Sequence, residues 1–255
     1  MRSALLVAAA CCAALAPAAQ AAGTTSSNWS GYAVMRSGLR FHRVSATWIA
    51  PAVDCTSAQE QWSAAWVGLG GYRSDSNALE QIGTEADCVN GAPRYSAWFE
   101  LVPEVSRDIA MTIRPGDRVG ASVTVTGRLV RLRLADDTSG RVSVRTLDAR
   151  EVDVSSAEWI VEAPSNCDNS GGSCAVMPLA DFGTLRMANG RATTTGGHAG
   201  TIADPLWRSV AITLASGGHD FGGPGGFRGA PGSATATPGA LDAAGSAFAV
   251  SWAQA

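Results

Sequence analysis

The sequence predicts an all-β protein, a sandwich or barrel of antiparallel strands. Two observations predict it. Short runs of alternating apolar and polar residues recur along the chain, separated by turns that contain Gly, Pro or Asp, which is the pattern of half-buried strands. No segment carries a long apolar period of 3.6 residues with helix caps.

The runs follow in order. HRVSATWI at 42–49 alternates cleanly, and RYSAWFEL at 94–101 does the same with a Trp-Phe pair. RVGASVTV at 118–125 and LVRLRL at 129–134 are separated only by Thr126-Gly127-Arg128, a connection short enough for a hairpin. VSVRTL at 142–147, AEWIV at 157–161, WRSVAITL at 207–214 and AFAVSW at 247–252 complete the clear cases. Residues 217–239 break the pattern, being rich in Gly, Pro, Ala and Ser, and read as a long loop inserted before the last strand. No internal repeat is present.

The N-terminus carries a processing signal: the basic Arg2, an apolar run over 4–16, and the A-x-A site Ala19-Gln20-Ala21. These features make 1–21 a secretory leader, with a run too short to span a bilayer. The reading is an exported protein, free of the membrane after cleavage, in one domain over 22–255. About 234 residues remain, enough for a sizeable core. The formal charge is −3, or −4 without Arg2, and the chain contains no lysine. With no run of basic residues, the sequence argues against nucleic acid and anionic membrane surfaces as partners.

Cys11 and Cys12 fall in the leader, leaving Cys55, Cys88, Cys167 and Cys174. An even count in an exported chain points to two disulfides. Cys167 and Cys174 flank a tight loop, so their pairing is the simplest choice and leaves Cys55 with Cys88. A zinc site is the other reading, weakened by the absence of C-x-x-C and the scatter of His42, His198 and His219.

Two side chains offer chemistry. Glu162 ends the 157–161 strand, on the same face as Glu158 and Ile160 and opposite Ala157, Trp159 and Val161. The strand must stop there, because Ala163-Pro164 follows. Gln81 lies in the β-type run LEQIGTE at 79–85. A carboxylate and an amide facing one cleft could hydrolyse a peptide bond without serine, cysteine or metal, one as general base and acid, the other steadying the oxyanion. Read singly, each is also compatible with an ordinary surface residue.

The segments NWSGY at 28–32, VSATWIAP at 44–51, WVGL at 66–69, EQIGTE at 80–85, YSAWFE at 95–100 and AEWIVE at 157–162 occur in this order. They are followed by the Cys167–Cys174 loop and PLADF at 178–182. Together they resemble the glutamic peptidases, the eqolisin family, from about residue 28 to 252. The resemblance implies a sandwich of two bent antiparallel sheets with a concave groove. It implies a secreted, acid-acting endopeptidase that needs no cofactor and acts as a monomer on protein or peptide substrates. It places Gln81 and Glu162 as the catalytic pair and Trp66 and Trp98 along the groove. It puts Glu85 and Glu100 nearby as acids that raise the pKa of Glu162.

Two departures stand out. Gly70 occupies a position where the family usually has aspartate, and the loop over 72–77 is altered in length. Little chain separates the leader from Asn28, which argues against a long inhibitory propeptide. The rival readings are a sandwich glycosidase or lectin, and a family member that has lost catalysis and binds proteins or carbohydrates. Glu151-Val152-Asp153 superficially resembles a glycosidase motif, but Ser156 stands where a further carboxylate is needed. A serine hydrolase lacks its G-x-S-x-G setting.

Overall fold

The computed structural model describes residues 22–57, 59–167, 174–218 and 234–254, of which none is helical. The leader expected at 1–21 lies outside them. Eighteen strands are present among these residues. They run β1 (Ala22–Ser26), β2 (Trp29–Met35), β3 (Phe41–Ile49), β4 (Ala64–Gly70), β5 (Leu79–Val89) and β6 (Ala92–Val102). Then come β7 (Arg107–Asp108), β8 (Arg118–Thr126), β9 (Leu129–Asp136), β10 (Arg141–Asp148), β11 (Ser156–Glu162) and β12 (Ser165–Cys167). The last are β13 (Cys174–Val176), β14 (Thr184–Thr194), β15 (Ala199–Thr201), β16 (Arg208–Leu214), β17 (Ala234–Pro238) and β18 (Phe248–Gln254).

One hydrogen-bonded path joins fourteen of them, in the order β10-β9-β8-β3-β14-β18-β17-β16-β2-β11-β4-β5-β6-β7, with β1 added beside β16 and β15 beside β14, while β12 and β13 pair separately. The path doubles over, so that β3 and β8 pack on β4 and β5. This makes the predicted two-sheet sandwich, with a back sheet β10-β9-β8-β3-β14-β18 and a front sheet β16-β2-β11-β4-β5-β6-β7. The core between them takes the inward residues of both sheets. They include Val44, Trp48, Val123 and Leu132 from the back, and Val67, Ile82, Trp159 and Val161 from the front. Burying each such side chain contributes roughly 1.5–3 kcal/mol. The two core tryptophans also cross-link the sheets by hydrogen bonds. Trp159 Nε1 donates to Ser45 O at 2.9 Å, and Trp48 Nε1 donates to Thr84 Oγ1 at 3.0 Å.

The front sheet is buried on its other face too, where Trp29, Ala64, Trp66, Leu79, Trp98, Ile160 and Ile212 form a second apolar cluster. A strand covered on both sides reads as a continuous apolar run instead of alternating. That is why β4, AAWVGLG, carries no alternation yet is buried throughout. Gly31, in β2, has φ of 145° and lies against β11. A Cβ there would come within 2.1 Å of Trp159 O, so only glycine fits.

One strand escaped the sequence reading, and one expectation changes. Strand β14 is interrupted by an irregularity between Ala188 and Arg191, which breaks the period and hides it in the sequence. The loop expected over 217–239 is shorter than its composition suggested, because β17 pairs with β18 from Ala234 to Pro238. Alternation of buried Ala with Thr makes that strand. Residues 219–233 lie outside the described part. Cys55 and Cys88 form a disulfide. Cys174 is disulfide-bonded and faces Cys167 in register. The Cys167 side chain and residues 168–173 lie outside the described part.

Candidate active site

The site lies on the front sheet's outer face and is built by strand register. Glu162 pairs with Ala64, Ala64 with Glu85, and Glu85 with Ser96. One row along, Ile160, Trp66, Gly83 and Trp98 are aligned, and in the next Glu158, Gly68, Gln81 and Glu100. Directly opposed residues share a face. Glu162, Gln81, Glu85, Glu100, Trp66 and Trp98 therefore all project from the same side, with Glu162 and Gln81 at diagonal corners around Trp66. Small residues make the room. A Cβ on Gly83 would come within 2.6 Å of Trp66 Cβ, and one on Gly68 within 2.9 Å of the Trp66 ring.

Glu162 is held on both oxygens. Oε2 accepts from Trp66 Nε1 at 2.7 Å, and Oε1 accepts from Asn28 Nδ2 at 3.2 Å. Trp29 pairs laterally with Glu162 and packs edge-on against Trp66 with centroids 4.9 Å apart. Burial dominates the carboxyl's acidity. It pushes the pKa up to about 8, with a contribution from the charge of Glu100, against the hydrogen bonds from Trp66, Trp29 and Asn28.

Gln81 is 4% exposed. Its Nε2 donates to Glu100 Oε2 at 2.6 Å, while its Oε1 has no partner among the described residues. One amide N–H and the carbonyl oxygen are thus uncommitted. Burial raises Glu100 to about 7, helped by the charge of Glu85 and opposed by Gln81. Glu85 is raised by burial despite accepting from Ser96 Oγ at 2.6 Å. The like-charge influence expected from both acids thus reaches Glu162 from Glu100, with Glu85 acting on Glu100. Trp66 is 0% exposed and Trp98 5%. Trp66 forms the floor with its N–H committed to Glu162, and Trp98 Nε1 is without a partner among the described residues.

Sequence reasoning gave no role to Asn28 and Trp29, which lie at the end of the neighbouring strand and touch Glu162 only after folding. It also missed two buried acids. Glu158 is fully buried in the Gln81 row, and burial drives its pKa well above the ordinary value. Glu80 points into the inter-sheet side, accepts from Asp153 N at 3.3 Å, and is pushed by burial to about 9. Nothing local distinguishes a buried strand glutamate from a solvated one.

Gly70, the departure noted in sequence, has φ of 85°, and a Cβ there would lie 2.5 Å from Asp153 Cβ. Asp153 fills that space, accepting from Ser76 Oγ at 2.6 Å and from Gly71 N at 3.3 Å. The Glu151-Val152-Asp153 run thus has its aspartate engaged in a turn and its glutamate exposed; the carboxyl groups on which the Asp153 charge acts are the buried Glu80 and Glu158. Among the described residues, no three His, Cys, Asp or Glu side chains are grouped to hold a metal ion.

Comparison with known proteins agrees with the fold and specifies the family. Scytalidopepsin B from Scytalidium lignicola is 30% identical over 203 residues, covering 74% of this chain and 72% of its own. Aspergillopepsin-2 from Aspergillus niger is 27% identical over 198 residues, covering 69% and 67%. The structure of scytalido-glutamic peptidase with a transition state analog inhibitor superposes with a TM-score of 0.70 at 24% identity, covering 89% of this chain and 98% of its own. SCP-B, described as a member of the eqolisin family, in complex with the tripeptide Ala-Ile-His, gives 0.65 at 22%, over 89% and 98%. The model of the Peptidase A4 family matches residues 27–213. The chain belongs to the Peptidase A4 family, the glutamic peptidases, and is a hydrolase of peptide bonds.

Proposed function

We propose that this chain is a secreted endopeptidase of acid solution, working as a monomer through Gln81 and Glu162. One observation carries the reading. The two side chains share the outer face of the front sheet, and Glu100 links them, bonded to Gln81 and acting by its charge on Glu162. A polypeptide lies across this face with its scissile carbonyl between them. Glu162, ionised, takes a proton from water as the oxygen bonds to the carbonyl carbon. The free N–H of Gln81 donates to the oxyanion, and its Oε1 accepts from the attacking water. The tetrahedral intermediate then collapses, the C–N bond breaks, and Glu162 passes its proton to the leaving amine. These steps use only side chains and water.

The surrounding groups serve both halves of that cycle. The N–H donors of Trp66, Trp29 and Asn28 favour the ionised carboxylate that starts it. Burial and Glu100 favour the protonated form that ends it. Reaching the ionised form costs about 1.36 kcal/mol for each pH unit below the pKa. Above about 7, Glu100 ionises beside Gln81 and opposes the oxyanion. Taken alone these two groups set a working range near neutrality; the acid range is what the family resemblance implies.

The test is proteolysis of a denatured protein from pH 2 to 7 by the wild type, Glu162→Gln and Gln81→Ala. Activity that resists chelators and serine-protease inhibitors and is lost in both variants supports the pair. Activity surviving in Glu162→Gln places the chemistry elsewhere.

A further inference from the structure

The outer face of the back sheet is not used by the site. Register places four arginines on it. Arg131 of β9, Thr124 of β8, Arg43 of β3 and Thr193 of β14 form one row across the strands. Arg133, Ser122, Ser45 and Arg191 form the next. Their neighbours in sequence, Val44, Val123, Val130, Leu132 and Ala192, point into the core, so the arginines face outward. Arg131 and Arg133 stand about 7 Å apart along their strand, and Arg131 and Arg43 about 10 Å apart across two strands.

Among the described residues these cations form no ion pair. The ion pairs among the described residues are Arg73–Asp75, Arg107–Glu104, Arg128–Asp148 and His198–Asp204, none of which involves the four. Arg43 has a hydroxyl partner, donating to Thr124 Oγ1 at 3.0 Å. Burial and the like charges of Arg131 and Arg133 push the Arg43 pKa down. A chain with a formal charge of −3 thus carries a concentrated cationic face that an anion would stabilise. The sequence showed no basic run because the four positions come from three strands far apart in order.

We propose that this face binds a linear acidic polysaccharide lying across the strands. Each row sets guanidinium groups among hydroxyls, which complements a polymer alternating anionic groups with neutral, hydroxyl-bearing stretches. The observations favour this over two other polyanions. Single-stranded nucleic acid is held by aromatic stacking, and neither row contains an aromatic side chain. An anionic bilayer is held best where apolar groups insert. The exposed Leu129, Ile49, Val142 and Val144 share this outer face, Val144 directly opposite Arg133, but they stand at strand ends or on the edge strand β10, while the positions beside the arginines on β8, β3 and β14 carry hydroxyls.

The test is fluorescence anisotropy with a labelled heparin oligosaccharide at several salt concentrations. Competitors are a DNA duplex, single-stranded DNA and phosphatidylserine vesicles. The expected result is binding that weakens steeply with salt as counterions are released. It should weaken roughly tenfold or more in Arg131→Gln/Arg133→Gln, a variant that keeps wild-type peptidase activity and melting temperature. The control Arg73→Gln/Arg107→Gln removes the same charge elsewhere and should bind as wild type. Equal loss in both double variants, no binding by wild type, or tighter binding of DNA or vesicles at matched salt would overturn the proposal.

Discussion

Trp66 Nε1 donates to Glu162 Oε2 at 2.7 Å from the adjacent strand, although the two residues are not opposed in register. Ala64 is the residue opposite Glu162, and its small side chain leaves the gap across which the indole reaches. The tryptophan thus sets the position of the carboxyl and favours its charged form.

Trp66→Phe keeps the ring and removes the N–H. The expected outcome is a 10- to 100-fold loss in kcat/KM, from a hydrogen bond to a charged group worth about 1.5–3 kcal/mol. The Glu162 pKa should rise with it. The pH profile of kcat/KM checks this, with the acid limb displaced upward. A loss equal at every pH would mean that the ring acts by packing alone.

Gln81→Ala removes the proposed oxyanion donor. The expected loss is about 10²–10³ in kcat, the usual effect of deleting one such donor, with KM little changed. Single-turnover cleavage of a fluorogenic peptide measures it. A change confined to KM would reassign Gln81 to substrate binding.

Glu100→Gln retains a hydrogen-bonding partner for Gln81 while removing the group that titrates at about 7. The decline in activity above pH 7 should shift upward in this variant, and Glu162 should become more acidic because a charge that raises its pKa is gone. An unchanged alkaline limb would show that Glu100 does not control it.

Stability should fall as the solution becomes alkaline. The carboxyl groups of Glu80 and Glu162 are raised to about 9 and about 8, and that of Glu158 is raised well above its ordinary value by complete burial. An acid whose pKa is higher in the folded state binds its proton more tightly there. Its contribution is full below about 4.5 and is lost as pH climbs through the folded-state value. Thermal unfolding from pH 5 to 9 should show a declining Tm, and Glu80→Gln should flatten the decline. A Tm rising with pH would contradict the burial of these groups.

Gly70→Asp would restore the family's usual residue but meets both a φ of 85° and the side chain of Asp153. Destabilisation of about 1–3 kcal/mol is expected. Gly70→Asp combined with Asp153→Gly should recover part of it, as residues that share a space are not additive. Denaturant midpoints measure both.

The sequence by itself determined the β class, because alternation is a local property that records which face of a strand is buried. Runs such as HRVSATWI and LVRLRL became β3 and β9 almost residue for residue. It also offered the Cys55–Cys88 pairing as the simplest choice beside a zinc site, and the order of its segments already resembled the family. What alternation could not supply was burial on the second face. AAWVGLG and the glutamates at 80 and 158 look unremarkable until a second apolar cluster and an opposing sheet cover them. Register was decided only by tertiary structure. It sets Asn28 and Trp29 on Glu162, Glu100 on Gln81, and Asp153 in the space above Gly70. It also gathers Arg43, Arg131, Arg133 and Arg191 on one surface. The physical reason is that cross-strand neighbours lie about 4.8 Å apart in space whatever their distance along the chain. Charge, hydrogen bonding and desolvation act on the spatial neighbours.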